Sequence, residues 1–141
     1  MLTIGKIAKA SGCKVQTIRY YEQIGLIAAA SRTEGNQRLY RQADVDRLQF
    51  IRHARSLGFS TDTIKDLLTL ENHSEMSCAA VDNIAREQLA LVQGRIKQLQ
   101  SLAKELESMI SQCAHEDIAH CKILQALHEH DHCDDHKPLD V

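Results

Sequence analysis

The residues of this 141-residue chain best suited to chemistry are its five cysteines, Cys13, Cys78, Cys113, Cys121 and Cys133. Their number is odd and no Cys-x-x-Cys occurs, so metal ligation or reactive thiols outrank a disulfide framework or a redox dithiol. Seven residues, Ala114 to His120, separate Cys113 from Cys121, a length that lets one loop fold both sulfurs around an ion. Cys78 precedes Cys113 by 35 residues, which is five heptads. On a continuous helix the two would share one face roughly 50 Å apart, too far to hold an ion together within one chain. Two such helices running antiparallel would instead bring Cys78 of one subunit beside Cys113 of the other and build the site twice. Three thiolates favour soft or borderline cations, Cd(II), Pb(II), Hg(II) or Zn(II), over Mg(II) or Ca(II). A trigonal thiolate set suits lead or mercury, whereas zinc asks for a fourth ligand, for which His115 and His120 are at hand. The plainer alternatives are inert, buried cysteines and solvated loop histidines.

The C-terminal stretch Leu127 to His136 holds four histidines, one cysteine and four acidic residues. His128, His130, His132 and Cys133 are therefore candidates for a loose second zinc or cadmium site, the alternative being a solvated tail. Cys13 reads as a small core residue. A zinc hydrolase would need an open metal position beside a general base. The one His-Glu-x-x-His spacing, His128-Glu129-His130-Asp131-His132, falls in the acidic C-terminal stretch and not on an apolar-periodic helix that could hold it, so the chain is expected not to be an enzyme.

The elements that would position these groups are helical. The single proline is Pro138, which leaves the rest of the chain free of proline breaks. Ile4, Ile7 and Ala8 suggest a short first helix, Ser11-Gly12-Cys13 a turn, and Val15 and Ile18 a second helix ending near Gly25. That is a helix-turn-helix whose second helix would offer Lys14, Gln16, Thr17, Arg19 and Tyr20 to a major groove. Residues 31–41 mix turn formers with arginines on both sides of Glu34-Gly35-Asn36, as a β-turn wing touching phosphates requires. A helix is expected from about Ala43 to Leu57, with Val45, Leu48, Phe50, Ile51 and Ala54 as its apolar positions and Gly58 as its stop. Another runs from the cap Ser60 through Leu70.

Beyond Cys78, the residues Ala85, Leu89, Val92, Ile96, Leu99, Ala103, Leu106, Ile110 and Cys113 alternate steps of four and three. This is a coiled-coil seam. With no second helix of comparable length in the chain, its simplest partner is the same helix of another copy, giving a homodimer. Charge is partitioned in the same way: residues 1–70 carry 11 Lys/Arg against six Asp/Glu, and residues 71–141 carry six against 13. The basic half suits a polyanion and the acidic half a separate task. With 43% hydrophobic and 26% charged residues and a mean hydropathy of −0.32, the composition is globular. No run approaches a membrane span or a signal segment, so a cytoplasmic location without membrane attachment is expected.

These residues together resemble the MerR family of metal-responsive transcriptional regulators. The resemblance rests on Ile4-Gly5-Lys6-Ile7-Ala8, Thr17-Ile18-Arg19-Tyr20-Tyr21-Glu22, Gly25-Leu26-Ile27, Arg38-Leu39-Tyr40 and residues 50–59. It implies an all-α, mainly helical fold: a winged helix-turn-helix DNA-binding domain (residues 1–72), a long antiparallel coiled-coil dimerisation helix (77–112), a metal-binding loop with a short helix (113–127), and a His/Asp-rich tail (128–141). It implies that Lys14, Thr17, Arg19, Tyr20, Tyr21, Arg32, Asn36, Arg38, Tyr40 and Arg55 lie near DNA. It further implies a homodimer on promoter DNA that works with RNA polymerase, correcting an over-long spacer when metal binds and so activating efflux or resistance genes. Within the family, Cys78 stands where copper and gold sensors resemble one another in carrying serine. Zinc sensors have a longer loop with adjacent cysteines, iron–sulfur members four clustered loop cysteines, and drug-binding members a large extra domain. The pattern here is most similar to the cadmium/lead-responsive branch, with Cys78, Cys113 and Cys121 as ligands and Cd(II) or Pb(II) as effector. Mercury sensors share the three-cysteine logic.

Overall fold

The computed structural model describes residues 1–129 and shows a mostly helical chain with one small sheet. Two compact units divide at Ile84 and Ala85. In the first, β1 (Leu2–Thr3) leads into α1 (Ile4–Ser11), α2 (Val15–Gln23), β2 (Ser31–Arg32), β3 (Arg38–Tyr40), α3 (Gln42–Ser56) and α4 (Thr61–Glu71). The second holds most of α5 (Ala79–Gln112), a single 3-10 turn (Ile118–His120) and α6 (Lys122–His128).

Thr3 caps α1 by accepting the Lys6 N–H on its hydroxyl at 3.4 Å, and Gly12 closes the same helix with φ 75° and its N–H on the Ala8 carbonyl. Glycine is favoured at position 12 by this left-handed conformation, which strains any residue with a Cβ; the nearest atom to such a Cβ, Nη1 of Arg52 on α3 at 2.2 Å, is the far end of a flexible side chain and can move aside. The following helix, α2, is fastened at its C-terminal end by its neighbours. Lys65 of α4 donates to the Ile24 carbonyl at 2.9 Å and Arg47 of α3 to the Leu26 carbonyl at 2.8 Å. Lys65 thereby sets a cation at the helix C-cap, where the dipole leaves partial negative charge, and Arg47 holds the chain just beyond it.

Helix α3 starts with the Arg41 N–H on the Asp44 carboxylate at 2.8 Å and buries Val45, Leu48, Ile51 and Ala54, a spacing of three that keeps one face inward. Phe50, expected among its apolar positions, lies off that face and is exposed. The core is Ile7, Ile18, Leu26, Tyr40, Leu48, Ile51 and Ile64, all below 2% exposure. Each aliphatic member contributes roughly 1.5–3 kcal/mol by leaving water.

The sheet has the order β1-β3-β2 and is antiparallel throughout, with Leu2 opposite Tyr40 and Arg32 opposite Arg38. Strand β1 is two residues long and carries no alternation from which it could be read. It exists because β3 offers a second edge. At the tip of the hairpin, the left-handed residue is Asn36 (φ 64°) and not Gly35.

In the second unit α5 runs unbroken for 34 residues with none of them buried. Leu89, Val92, Ile96, Leu99, Leu106 and Ile110 stand 40–62% exposed, and their spacing is that of a coiled coil. Among the described residues no helix is long and apolar enough to cross a membrane.

Candidate nucleic-acid interface and metal centre

Helix α2 and the start of α4 border an open groove of about 520 Å³ lined by Gln16, Thr17, Tyr20, Tyr21, Arg55, Ser60 and Thr61. Lys14, the N-cap residue of α2, and Gln16, Arg19 and Tyr20 are exposed. Arg55 is aimed by a 2.7 Å hydrogen bond from its Nη1 to the Phe59 carbonyl, which fixes one arm of the guanidinium and leaves the others for an anion. Ser60 and Thr61 were legible as a helix cap alone. The Ser60 hydroxyl accepts the Thr63 N–H at 3.1 Å, and the positive end of α4 faces the groove beside Arg55, an arrangement suited to phosphate. A serine cap beside an arginine is the signal that could have found them.

The two tyrosines of α2 divide the work. Their rings lie 6.0 Å apart, Tyr20 half exposed and Tyr21 in the core. Burial raises the Tyr21 pKa, with Cys13 adding to the rise and Arg55 opposing it. Cys13 is half-buried against the core. Tyr40 is also a core residue, 1% exposed, so its ring supports the wing from below instead of presenting a face to solvent. Its hydroxyl has no hydrogen-bond partner. Burial is the main cause of its raised pKa, with Glu22 adding and Arg38 opposing.

On the wing, Arg32 donates to the Asn36 side-chain oxygen at 3.0 Å, and Thr33 accepts the Gln37 N–H on its hydroxyl at 3.1 Å. Arg38 pairs with Glu22 of α2 at 3.3 Å and is only 30% exposed. Two of the arginines expected near DNA therefore have protein partners that set their direction.

The thiols lie at the ends of α5. Cys78, exposed, immediately precedes it and its carbonyl accepts the Asp82 N–H at 2.9 Å; the Ser77 hydroxyl takes the Ala79 N–H. Cys113, half-buried, follows its last turn, and Cys121, half-buried, is the N-cap residue of α6. Between them His115 adopts φ 56°, Asp117 caps the 3-10 turn, and the Asp117 carboxylate meets Nδ1 of His120, leaving Nε2 outward. All four described cysteines are free thiols. Their donor chemistry fits a soft cation. Among the described residues of one chain, no three His, Cys, Asp or Glu side chains gather into a site. His128 ends α6, exposed; His130, His132 and Cys133 lie outside the described residues.

Residues 2–71 match the family described as "MerR HTH family regulatory protein", and residues 45–109 match "MerR, DNA binding". The chain is 41% identical over 133 residues to the HTH-type transcriptional regulator ZntR of Escherichia coli K12, covering 92% of this chain and 94% of that one. Among solved structures, the lead(II) complex of the transcription regulator PbrR691 from Ralstonia metallidurans CH34 is similar with a TM-score of 0.79 at 36% identity, covering 90% of this chain and 99% of that one. The mercury(II) complex of MerR from Bacillus megaterium MB1 has a TM-score of 0.67 at 29% identity, covering 88% and 96%. At 41% identity over almost the whole of both chains, the chain belongs to the MerR family of helix-turn-helix transcriptional regulators.

Proposed function

We propose that this regulator senses a soft divalent metal, Cd(II) or Pb(II), as a homodimer on promoter DNA, with Cys78 of one subunit and Cys113 and Cys121 of the other as ligands. The observation that carries the reading is α5: a 34-residue helix with no buried residue, an apolar seam, and a free thiol at each end. Antiparallel pairing of two such helices removes the seam from water and juxtaposes the thiols that one chain cannot bring together. The lead(II) and mercury(II) complexes of similar proteins support a thiophilic effector.

When bound, the cation supplies a set of strong thiolate bonds joining the two subunits. The chain's own part is to tie the loop after α5 to the start of the partner's α5, biasing one of two subunit arrangements. Lys14, Gln16, Thr17, Arg19 and Tyr20, with Arg32, Asn36 and Arg55, hold DNA through phosphates and a few base edges. Bending and untwisting a promoter with an over-long spacer costs a few kcal/mol, within what coordination supplies. RNA polymerase then meets aligned promoter elements and transcribes efflux or resistance genes.

The test is transcription from the promoter upstream of the chain's own gene, titrated with Cd(II), Pb(II), Zn(II), Hg(II) and Cu(I) for wild type and Cys78→Ser. Divalent activation of wild type that is lost in Cys78→Ser is the expected result. A Cys78→Ser protein responding normally would overturn the three-thiolate site. A zinc response is the second reading, favoured by the Asp117–His120 pair, since a carboxylate on Nδ1 is the partner that orients a histidine whose other ring nitrogen takes a metal. An architectural DNA-binding protein with structural zinc would unfold on chelation; the sensor stays folded and dimeric.

A further inference from the structure

The carboxylate of Glu22 lies on the helix that carries the groove residues, in the basic half of the chain, where negative charge opposes DNA binding. Yet it is well formed: only 12% exposed, with both oxygens engaged. Oε1 accepts the Ala30 N–H at 3.0 Å, just before β2, and Oε2 accepts from Nη1 of Arg38 in β3 at 3.3 Å. The two bonds span eight and 16 residues and reach both strands of the wing from one side chain. Strand β3 is also held by its pairing with β1 and by the buried Tyr40 ring, but β2 and the turn hang on β3 and on the Glu22 bonds. Strands β2 and β3 pair over only two residue positions, Ser31 with Leu39 and Arg32 with Arg38, and a hairpin that short has marginal stability alone.

We infer that Glu22 is a positioning residue for DNA binding: it sets the wing against the recognition helix through Arg38 and Ala30, so affinity depends on a carboxylate that touches no DNA. The inference rests on the reading of the chain as a promoter-binding dimer. It carries a sign opposite to simple electrostatics. Removing a negative charge near a polyanion should tighten binding, whereas loosening the tether should weaken it.

The experiment compares the full-length dimer with Glu22→Gln, Arg38→Gln, the double variant and Glu34→Gln on a duplex of its own promoter, by fluorescence anisotropy across salt concentrations. Hydrogen exchange of residues 28–41 is measured without DNA. Glu34, exposed on the same wing, reports the bare effect of charge removal. Expected are unchanged or tighter binding for Glu34→Gln and binding weaker by about tenfold for Glu22→Gln, the size of one charge-assisted hydrogen bond. The double variant should be no weaker than the worse single one, and exchange should quicken in residues 28–41 alone. Glu22→Gln binding as tightly as Glu34→Gln, or unchanged wing exchange, would overturn the inference. Glutamine keeps an acceptor for Ala30, and if that variant fails to fold, Arg38→Gln breaks the same pair from its half-exposed side and carries the test. Wild-type protein that ignores its promoter would overturn the functional reading, while the exchange data would still decide whether Glu22 holds the wing.

Discussion

At the scale of single residues, the structure turns chemical types into specific duties. Tyr40 has its ring in the core and its hydroxyl covered, close enough to the Glu22 carboxylate and the Arg38 guanidinium to feel both but without a hydrogen bond of good geometry, a desolvation cost that phenylalanine would not carry. Tyr40→Phe is therefore expected to melt at or above the wild-type temperature in calorimetry at pH 7. The folded state raises the pKa of Tyr40 and of Tyr21 above 10.0, so it favours the protonated phenols. That stability is fully present below the unfolded value near 10 and is lost as pH rises through the folded value. Urea midpoints at pH 9 and pH 11 should fall for wild type and fall less for Tyr40→Phe. Asn36 bears the hairpin's positive φ and receives the Arg32 hydrogen bond. Asn36→Ala should cost about 1–2 kcal/mol, the penalty of a left-handed residue with a Cβ and no local hydrogen bond. Gly35→Ala, whose Cβ would meet nothing closer than 3.8 Å, should stay within about 0.5 kcal/mol by chemical denaturation.

At the scale of elements, sequence periodicity was a good guide wherever one face packs. The helix expected from Ala43 to Leu57 is Gln42–Ser56, and the one capped by Ser60 is Thr61–Glu71, because aliphatic spacing and a serine cap act locally. The failures are equally physical. Strand β1 depends on an edge supplied 36 to 38 residues later, Thr3 opposite Leu39 and Leu2 opposite Tyr40, and no local pattern announces it. Arg38, expected near DNA, also pairs with Glu22 on α2, a partner 16 residues away that is equally unannounced. The turn expected at Glu34-Gly35-Asn36 did not say which residue would be left-handed; in the fold it is Asn36, whose N–H donates to the Thr33 carbonyl. Helix α5 yields the sharpest element-level expectation. Leu99, 46% exposed in the single chain, lies mid-seam, so Leu99→Lys should press a charge against the apolar seam of the other copy at two symmetry-related places in an antiparallel pair. Sedimentation velocity should show a monomer at concentrations where wild type sediments as a dimer, with the helicity of the first unit retained.

For the whole molecule, the division into a basic and an acidic half sets how it should respond to salt. If the groove residues neutralise phosphates on both half-sites, the affinity for promoter DNA should drop roughly a thousandfold or more between 50 and 200 mM salt. Arg55→Gln should weaken all sequences alike and make the slope of log K against log salt shallower by about one per subunit. A slope unchanged by Arg55→Gln would remove that residue from the phosphate contacts. The assembly is what makes the thiols of Cys78, Cys113 and Cys121 a common site in this reading, since no group of three ligands gathers among the described residues of one chain.

The sequence by itself determined the helical fold class, the winged helix-turn-helix, the seam of α5 and the thiol donors, because each is written in short-range signals: caps, apolar spacing and side-chain softness. Tertiary structure alone decided that Tyr40 is core, that Glu22 reaches Ala30 and Arg38, that Arg55 is aimed by Phe59, and that Lys65 and Arg47 fasten the end of α2. Those facts depend on which polar group meets which across elements distant in sequence. A buried carboxylate or a helix-end carbonyl takes whatever partner the packing brings within about 3 Å, and packing is a property of the folded chain.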